Sequence, residues 1–243
     1  MTASIIAVPV YLFFQMCVAW LIAKRLKNPS IVDVFWGIGL MVAGFIYLWP
    51  ITRNLRLFIT VSLLVIWALR LSVYLFFTRI WRRQQDPRYD DYAQNYFVMF
   101  QIQGFFCWII SLVFLTTAYS LLDSVTWLDY IAFTVIILGI IGESIADYQL
   151  YQLRSRQPDA VCQTGWWRYS RHPNTFFDWL TWVGFFIIGS QSHYGWLAII
   201  SPLCLYWIMN FITNPMTEKH SLSVKGDAYR EYQLKTPIFF PRP

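Results

Sequence analysis

Residues 55–77 read LRLFITVSLLVIWALRLSVYLFF, a run broken by only two charges, Arg56 and Arg70. A helix of about 20 predominantly apolar residues is long enough to cross the hydrocarbon core of a bilayer. In lipid every backbone polar group must be satisfied within the element, so this run is read as a membrane-spanning helix. Six further runs of the same kind flank it, at about 4–23, 31–50, 101–121, 127–147, 174–190 and 195–213. Together they fill the 243 residues and leave no room for a soluble domain. The sequence has no internal repeat and no Gly/Ser linker. It predicts an all-α, polytopic membrane bundle of about seven spans, folded as one domain over 1–243. The first run lacks a basic leader and a small-residue cleavage site, so it reads as a retained span rather than a signal peptide.

Composition supports this class and excludes others. Residues are 57% hydrophobic and 13% charged, whereas a soluble domain carries about 25% charged residues. Thirteen Trp and fifteen Tyr suit the aromatic belts at membrane–water interfaces. The net charge of +6 reads as loop topology and attraction to anionic lipid. No basic run is interleaved with stacking aromatics, so nucleic acid is not an expected partner. Cys17, Cys107, Cys162 and Cys204 are far apart and three lie in apolar runs, which speaks against disulfides and zinc.

Orientation follows from the cations. With alternate loops on alternate sides, Arg53 and Arg56 fall on one face and Arg70 inside a span. The remaining 16 of the 19 Lys and Arg residues fall on the other face. The positive-inside rule then predicts an external N-terminus and a cytoplasmic C-terminus. On that topology Asp33, Arg70, Tyr74, Glu143, Asp147, Asp178, Asn210 and Asn214, from five spans, occupy the cytoplasmic half. Ionisable groups at membrane depth are costly and mark functional sites by default. Their convergence predicts a polar cavity open to the cytoplasm.

Residues 165–178, GWWRYSRHPNTFFD, form the most polar-dense stretch and run into an apolar helix. Ser170-Arg171-His172-Pro173 reads as a helix start, because proline suits the first helical position. The free N–H groups of that turn favour an anion. With Arg168, Arg171 and His172 beside them they suit the phosphates of a nucleotide cofactor. Alternatively, Arg168 and Arg171 simply hold the loop on its side of the membrane. Glu143 and Asp147 lie four apart on one helical face, where like charges repel. A cation, a proton or the hydroxyls of a ligand must relieve them. Arg154 lies two turns beyond Asp147, either as its structural ion pair or as a phosphate ligand beside a carboxylate that takes ribose or amide hydrogens. No second His or Cys is spaced to share a metal with His172, and no metal site is expected. No Gly-rich dinucleotide fingerprint or Walker motif appears, so a dinucleotide would bind between helices. Residues 79–95 mix both charge signs with aromatics and read as an interfacial segment or a lid, with Asp86-Pro87-Arg88-Tyr89 as a turn that starts a short helix. The tail, 214–243, reads as an amphipathic surface helix and a loop; it carries Glu218, Tyr229 and Tyr232.

Several motifs resemble the steroid 5-alpha-reductase-like membrane family, in its bacterial and plant branch. The likeness rests on Gly165-Trp166-Trp167-Arg168-Tyr169-Ser170-Arg171-His172-Pro173-Asn174, on Asp178-Trp179 and on Trp182-Val183-Gly184. It extends to Asp33-Val34-Phe35-Trp36-Gly37, to Arg70-Leu71-Ser72 through Tyr89, to Glu143 through Gln149, and to the tail. The resemblance implies an integral, multi-pass reductase of a bacterial inner membrane or an endoplasmic-reticulum-type membrane. It would use NADPH to reduce a carbon–carbon double bond of a lipid drawn from the bilayer, with its site facing the cytoplasm. The reductase-like part would be 127–243. On the family pattern Asp147, Arg154, Asn174 and Asp178 contact the cofactor, and Tyr229 and Tyr232 close over it. Glu143, Arg168, Tyr169, Arg171, His172 and Glu218 join that cofactor set. Tyr74 or Tyr89, with Asp33, would polarise a substrate carbonyl. The chain departs from the family in carrying Glu143 where many steroid reductases have Asn, and Thr175-Phe176-Phe177-Asp178 in place of Tyr-Phe-Gly-Glu. It is also similar to isoprenylcysteine-type methyltransferases, which would imply S-adenosylmethionine, through Gly226-x-x-Tyr229-x-x-Tyr232. A lipid-binding membrane protein without catalysis is the third expectation.

Overall fold

A computed structural model describes residues 2–49, 54–82, 86, 89 and 96–242. Among these residues there are helices, turns and coil but no strand. The helices in chain order are α1 (Thr2–Leu26), α2 (Ile31–Leu48), α3 (Leu55–Leu75), α4 (Tyr96–Ala118), α5 (Trp127–Arg156), α6 (Pro173–Gly189), α7 (Ile200–Ile208) and α8 (Asn214–Lys235). Among the described residues six stretches are long and apolar enough to cross a membrane, including 195–235, in which α7 and α8 join. α6, expected as the sixth span, has 17 residues and is not one of the six. The chain is therefore an integral, multi-pass helical protein.

Local chemistry sets the helix ends. α1 stops at Lys27, whose φ of 52° is left-handed, a conformation that ends helices and is uncommon outside glycine. The Asn54 side chain accepts from the Leu57 N–H at 2.9 Å and caps α3. Thr126 and Asp129 form a reciprocal box at the start of α5. The Thr126 N–H donates to Asp129 Oδ2 at 2.9 Å, and the Asp129 N–H donates to Thr126 Oγ1 at 3.2 Å. This satisfies two of the four N–H groups that every helix start leaves over. Pro173 opens α6 as read from the sequence. α3 and α7 each end in a π-helical turn, Phe76–Trp81 and Met209–Thr213. The latter leads directly into α8 rather than ending a span at 213.

The chain forms two compact units: Met1–Phe133 with Phe185–Cys204, and Thr134–Gly184 with Leu205–Pro243. In the first, α2 packs against α1, α3 and α4, and α1 against α4. Its core holds Leu12, Met16, Leu40, Leu64, Trp67, Phe100 and Phe114. The opposite faces stay apolar: Phe14, Leu21, Phe58, Ile66, Phe77 and Phe105 are exposed. Surface of that kind is at home against acyl chains, not water. In the second unit α5 and α6 lie antiparallel and close. A Cβ on Gly139 would meet Thr181 Oγ1 at 2.3 Å, and one on Gly142 would meet the Phe177 ring at 2.3 Å. Small residues at this spacing let membrane helices approach where lipid offers no hydrophobic drive between them.

Arg56, expected as a loop cation, is instead buried inside the first unit. Its Nε donates to Asp129 Oδ2 at 2.8 Å and its Nη2 to the Ile188 carbonyl at 2.9 Å, with neither charged side chain exposed. The first turn of α3 lies below the apolar surface, so the guanidinium finds its counter-charge in the protein rather than reaching water. Gln191 Nε2 donates to Asp129 Oδ1 at 2.7 Å and completes the shell.

Candidate functional site

The second unit holds all of the expected cofactor residues, and α5 and α6 supply the central ones. Glu143 and Asp147 are buried on α5, one turn apart. Asn174 and Asp178 are half-buried on α6 at the same spacing. Asn174 Nδ2 donates to Asp147 Oδ1 at 3.2 Å, joining the two rows. The glycines that let the helices approach and the polar row are thus parts of one interface. Nearby, Asn214 is fully buried at the start of α8. Its Oδ1 accepts from Thr175 Oγ1 at 3.4 Å, and its Nδ2 makes no hydrogen bond with the described residues.

Just before α6 lies a second constellation. Arg171 donates from Nε and Nη2 to the two carboxylate oxygens of Glu218, at 2.6 and 3.2 Å. Its Nη1 donates to the carbonyls of Gln233 and Thr236, at 2.9 and 2.8 Å. Gln233 Nε2 also donates to Glu218 Oε2 at 2.8 Å, and the Tyr229 hydroxyl reaches Oε1 at 3.5 Å. His172 Nε2 lies 3.2 Å from the same Oε1. Burial pushes the His172 pKa below its ordinary value; Glu218 opposes that shift and the Arg171 cation adds to it. Arg171, His172, Glu218 and Tyr229 therefore form one clamp that fastens the tail to the α6 entrance.

The tail closes the rest of the entrance. Tyr232 donates its hydroxyl to the Ser170 carbonyl at 3.2 Å and also to that of Trp167. Ser170 Oγ donates to the Phe239 carbonyl at 2.8 Å, and the Arg242 N–H to the Tyr169 carbonyl at 3.0 Å. Phe239 and Phe240 sit among Phe176, Trp179 and Tyr206, with ring centroids 5.3 to 6.1 Å apart. Between the 163–171 loop and the tail opens a cleft of about 980 Å³, lined in part by Arg168, Tyr169, Lys235 and Arg242. Arg168 lies over the Tyr169 ring at 5.9 Å. Arg154 is exposed in the last turn of α5.

Asp33, Tyr74 and Tyr89 belong to the first unit. Tyr89 is buried and donates its hydroxyl to Asp33 Oδ1 at 2.6 Å. Arg79, in the π-helical turn after α3, pairs with Asp33 Oδ2 and, at 3.0 Å, with Asp86 Oδ2. Tyr74 lies half-buried on α3 with the Arg70 guanidinium 5.5 Å above its ring. The expected lid and short helix over 79–95 fall largely on residues outside those described. Among the described residues no group of three His, Cys, Asp or Glu could hold a metal ion.

Sequence reading missed Arg79, Gln233 and the Arg56–Asp129 pair. Only the last had a signal, the Thr126-x-x-Asp129 capping pattern ahead of an apolar run. Comparison with known proteins adds family membership but no activity. A family model described as a protein of unknown function, DUF1295, matches residues 19–236. The uncharacterized protein C594.04c of Schizosaccharomyces pombe is 40% identical over 82 residues, 32% of this chain and 23% of the yeast protein. The match thus spans about a quarter of that relative's length. No solved structure matches.

Proposed function

We propose, for a chain that belongs to the DUF1295 family, that it is an NADPH-dependent reductase of a carbon–carbon double bond, conjugated to a carbonyl, in a lipid taken from the membrane. The carrying observation is the polar row between α5 and α6: two buried carboxylates one turn apart, with Asp147 hydrogen-bonded to Asn174. A row of buried carboxylates accepts hydrogen bonds from the donors of a polar ligand. Ribose hydroxyls and a carboxamide are partners of the right polarity. The residues fit such a group. The Asn214 Nδ2 donor, fully buried and without an acceptor among the described residues, suits an acceptor brought by a ligand. Leaving such a donor unmatched costs about 1–3 kcal/mol.

The cofactor contributes a hydride when bound; orientation and charge stabilisation are asked of the chain. Asp147 and Asn174 fix the cofactor's polar edge. Asp178, one turn beyond Asn174 on α6, extends the same row. A phenol of the chain donates to the substrate carbonyl as negative charge develops on its oxygen. An acid or a water protonates the adjacent carbon.

One observation favours a second reading, an S-adenosylmethionine-dependent methyltransferase. Gly226 has a φ of 54° inside α8, ahead of buried Tyr229 and Tyr232. That places a glycine-only bend where a G-x-x-Y-x-x-Y tail has its glycine. Against it, Glu218 is followed by Lys219 and is engaged by Arg171. The nucleotide that co-purifies with the full chain in mild detergent decides. NADP(H), together with NADPH oxidation on an enone lipid, supports the reductase. An S-adenosyl compound supports the methyltransferase. No nucleotide, and no loss of binding in Asp147→Ala, counts against both.

A further inference from the structure

The cleft between the 163–171 loop and the tail stands apart from the α5–α6 row and does not rest on the reductase reading. Three cations line it, Arg168, Lys235 and Arg242, and none of its lining residues is acidic. A fourth, Arg171, is already neutralised by Glu218. Lys235 has a partner outside the cleft, Glu231 at 3.7 Å, but both side chains are 71% exposed, and such pairs hold their members weakly. Thr164 also lines the cleft. Leu234, at the rim, is 88% exposed.

Position adds to charge. α5 is a membrane-length helix, and its last turns carry Gln152, Arg154 and Arg156. The loop that follows it leaves the apolar region there, so the cleft sits at the membrane surface. A cationic hollow with an exposed leucine at its rim matches the headgroup–acyl boundary, where basic groups meet phosphate and apolar ones meet chain. A soluble phosphate would find the cations but leave Leu234 in water.

We infer that this cleft binds the phosphate oxyanion of an anionic phospholipid headgroup, with Arg168, Lys235 and Arg242 as its cationic ligands and Leu234 against the start of an acyl chain. The test uses the full chain in neutral detergent, with phosphatidylglycerol or phosphatidylcholine added and retained lipid read by native mass spectrometry. Phosphatidylglycerol is retained in preference. Lys235→Gln/Arg242→Gln loses about 30-fold of that preference, since each basic residue near an anionic surface is worth about fivefold. Both positions are at or near the surface, and an unchanged thermal midpoint verifies the fold. Inorganic phosphate and 2′,5′-ADP, at millimolar concentration, leave the lipid in place. Equal retention of the two lipids, or an undiminished preference in the double variant, overturns the site. Displacement of the lipid by either soluble phosphate overturns its assignment to lipid.

Discussion

Arg56 meets Asp129 with neither side chain exposed, whereas Arg171 meets Glu218 with 12% and 11% of the two side chains still accessible. The first pair, in the first unit, is a closed fastening. It joins the start of α3 to the capping box of α5 and to the Ile188 carbonyl, and Arg56 Nη1 is left without an acceptor among the described residues. The second, in the other unit, is a hub. Around one carboxylate it gathers an arginine, a histidine, a glutamine and a tyrosine, and it holds two carbonyls of the tail. Complete burial makes an ion pair a condition of folding, since either charge alone is stranded. Partial burial with many partners makes it a fastener for an element that lies over a polar region.

The largest effect is expected from stranding a charge at the closed pair. Asp129→Asn should lower stability by about 3–5 kcal/mol, the usual result of removing one partner of a buried pair. Thermal unfolding in detergent measures it. Arg56→Met/Asp129→Leu should recover most of the loss, because both charges go together. A single variant as stable as the parent would break the contrast.

At the hub, Arg171→Lys should cost about 1.5–3 kcal/mol, the range for hydrogen bonds to charged groups. A lysine cannot reproduce the fork that reaches one carboxylate and two carbonyls at once. Hydrogen exchange should rise across 236–242 while α5 stays protected. Equal exchange in both places would mean that Arg171 does not hold the tail.

How much of this the sequence disclosed follows from where each signal lies. Apolar runs, the Pro173 start of α6 and the polar positions of α5 and α6 are local patterns, and all appear in the structure. The boundary between the seventh run and the tail helix at 213/214 is legible in the pattern and α8 begins there, but the π-helical turn that carries the helix straight through 209–213 is not. α6 was read at its true length, yet it is the shortest of the expected spans. Arg56 misled because loop counting treats a cation near a span end as solvated; only its contact with a residue 73 positions away settles its burial. The Arg171–Glu218 clamp joins residues 47 apart, and no periodicity reports such a pairing. The 143/147 and 174/178 rows and their approach are legible, but the direct hydrogen bond from Asn174 to Asp147 is not.

Two smaller effects sharpen the account of the hub. Tyr232→Phe removes a hydroxyl that reaches the Ser170 and Trp167 carbonyls and should cost about 1 kcal/mol, read from the same unfolding curves. The pH dependence is smaller still. His172 is buried with its pKa lowered, chiefly by burial. The folded state therefore resists a proton that the unfolded chain accepts below about 6.5. Stability should be fully present above that pH and decline as pH falls through it, less steeply in His172→Gln. An equally steep decline in that variant would place the titrating group elsewhere.

The reductase reading is tested most directly by equilibrium titration of NADPH into the purified full chain and its Asp147→Ala and Asn174→Ala variants, with the thermal midpoint recorded alongside. The account predicts saturable binding to the parent. It predicts binding weakened about tenfold or more in Asp147→Ala, as loss of a hydrogen bond to a charged group requires, and also weakened in Asn174→Ala. A folded parent that binds no NADPH, or variants that bind as tightly as the parent, would contradict it.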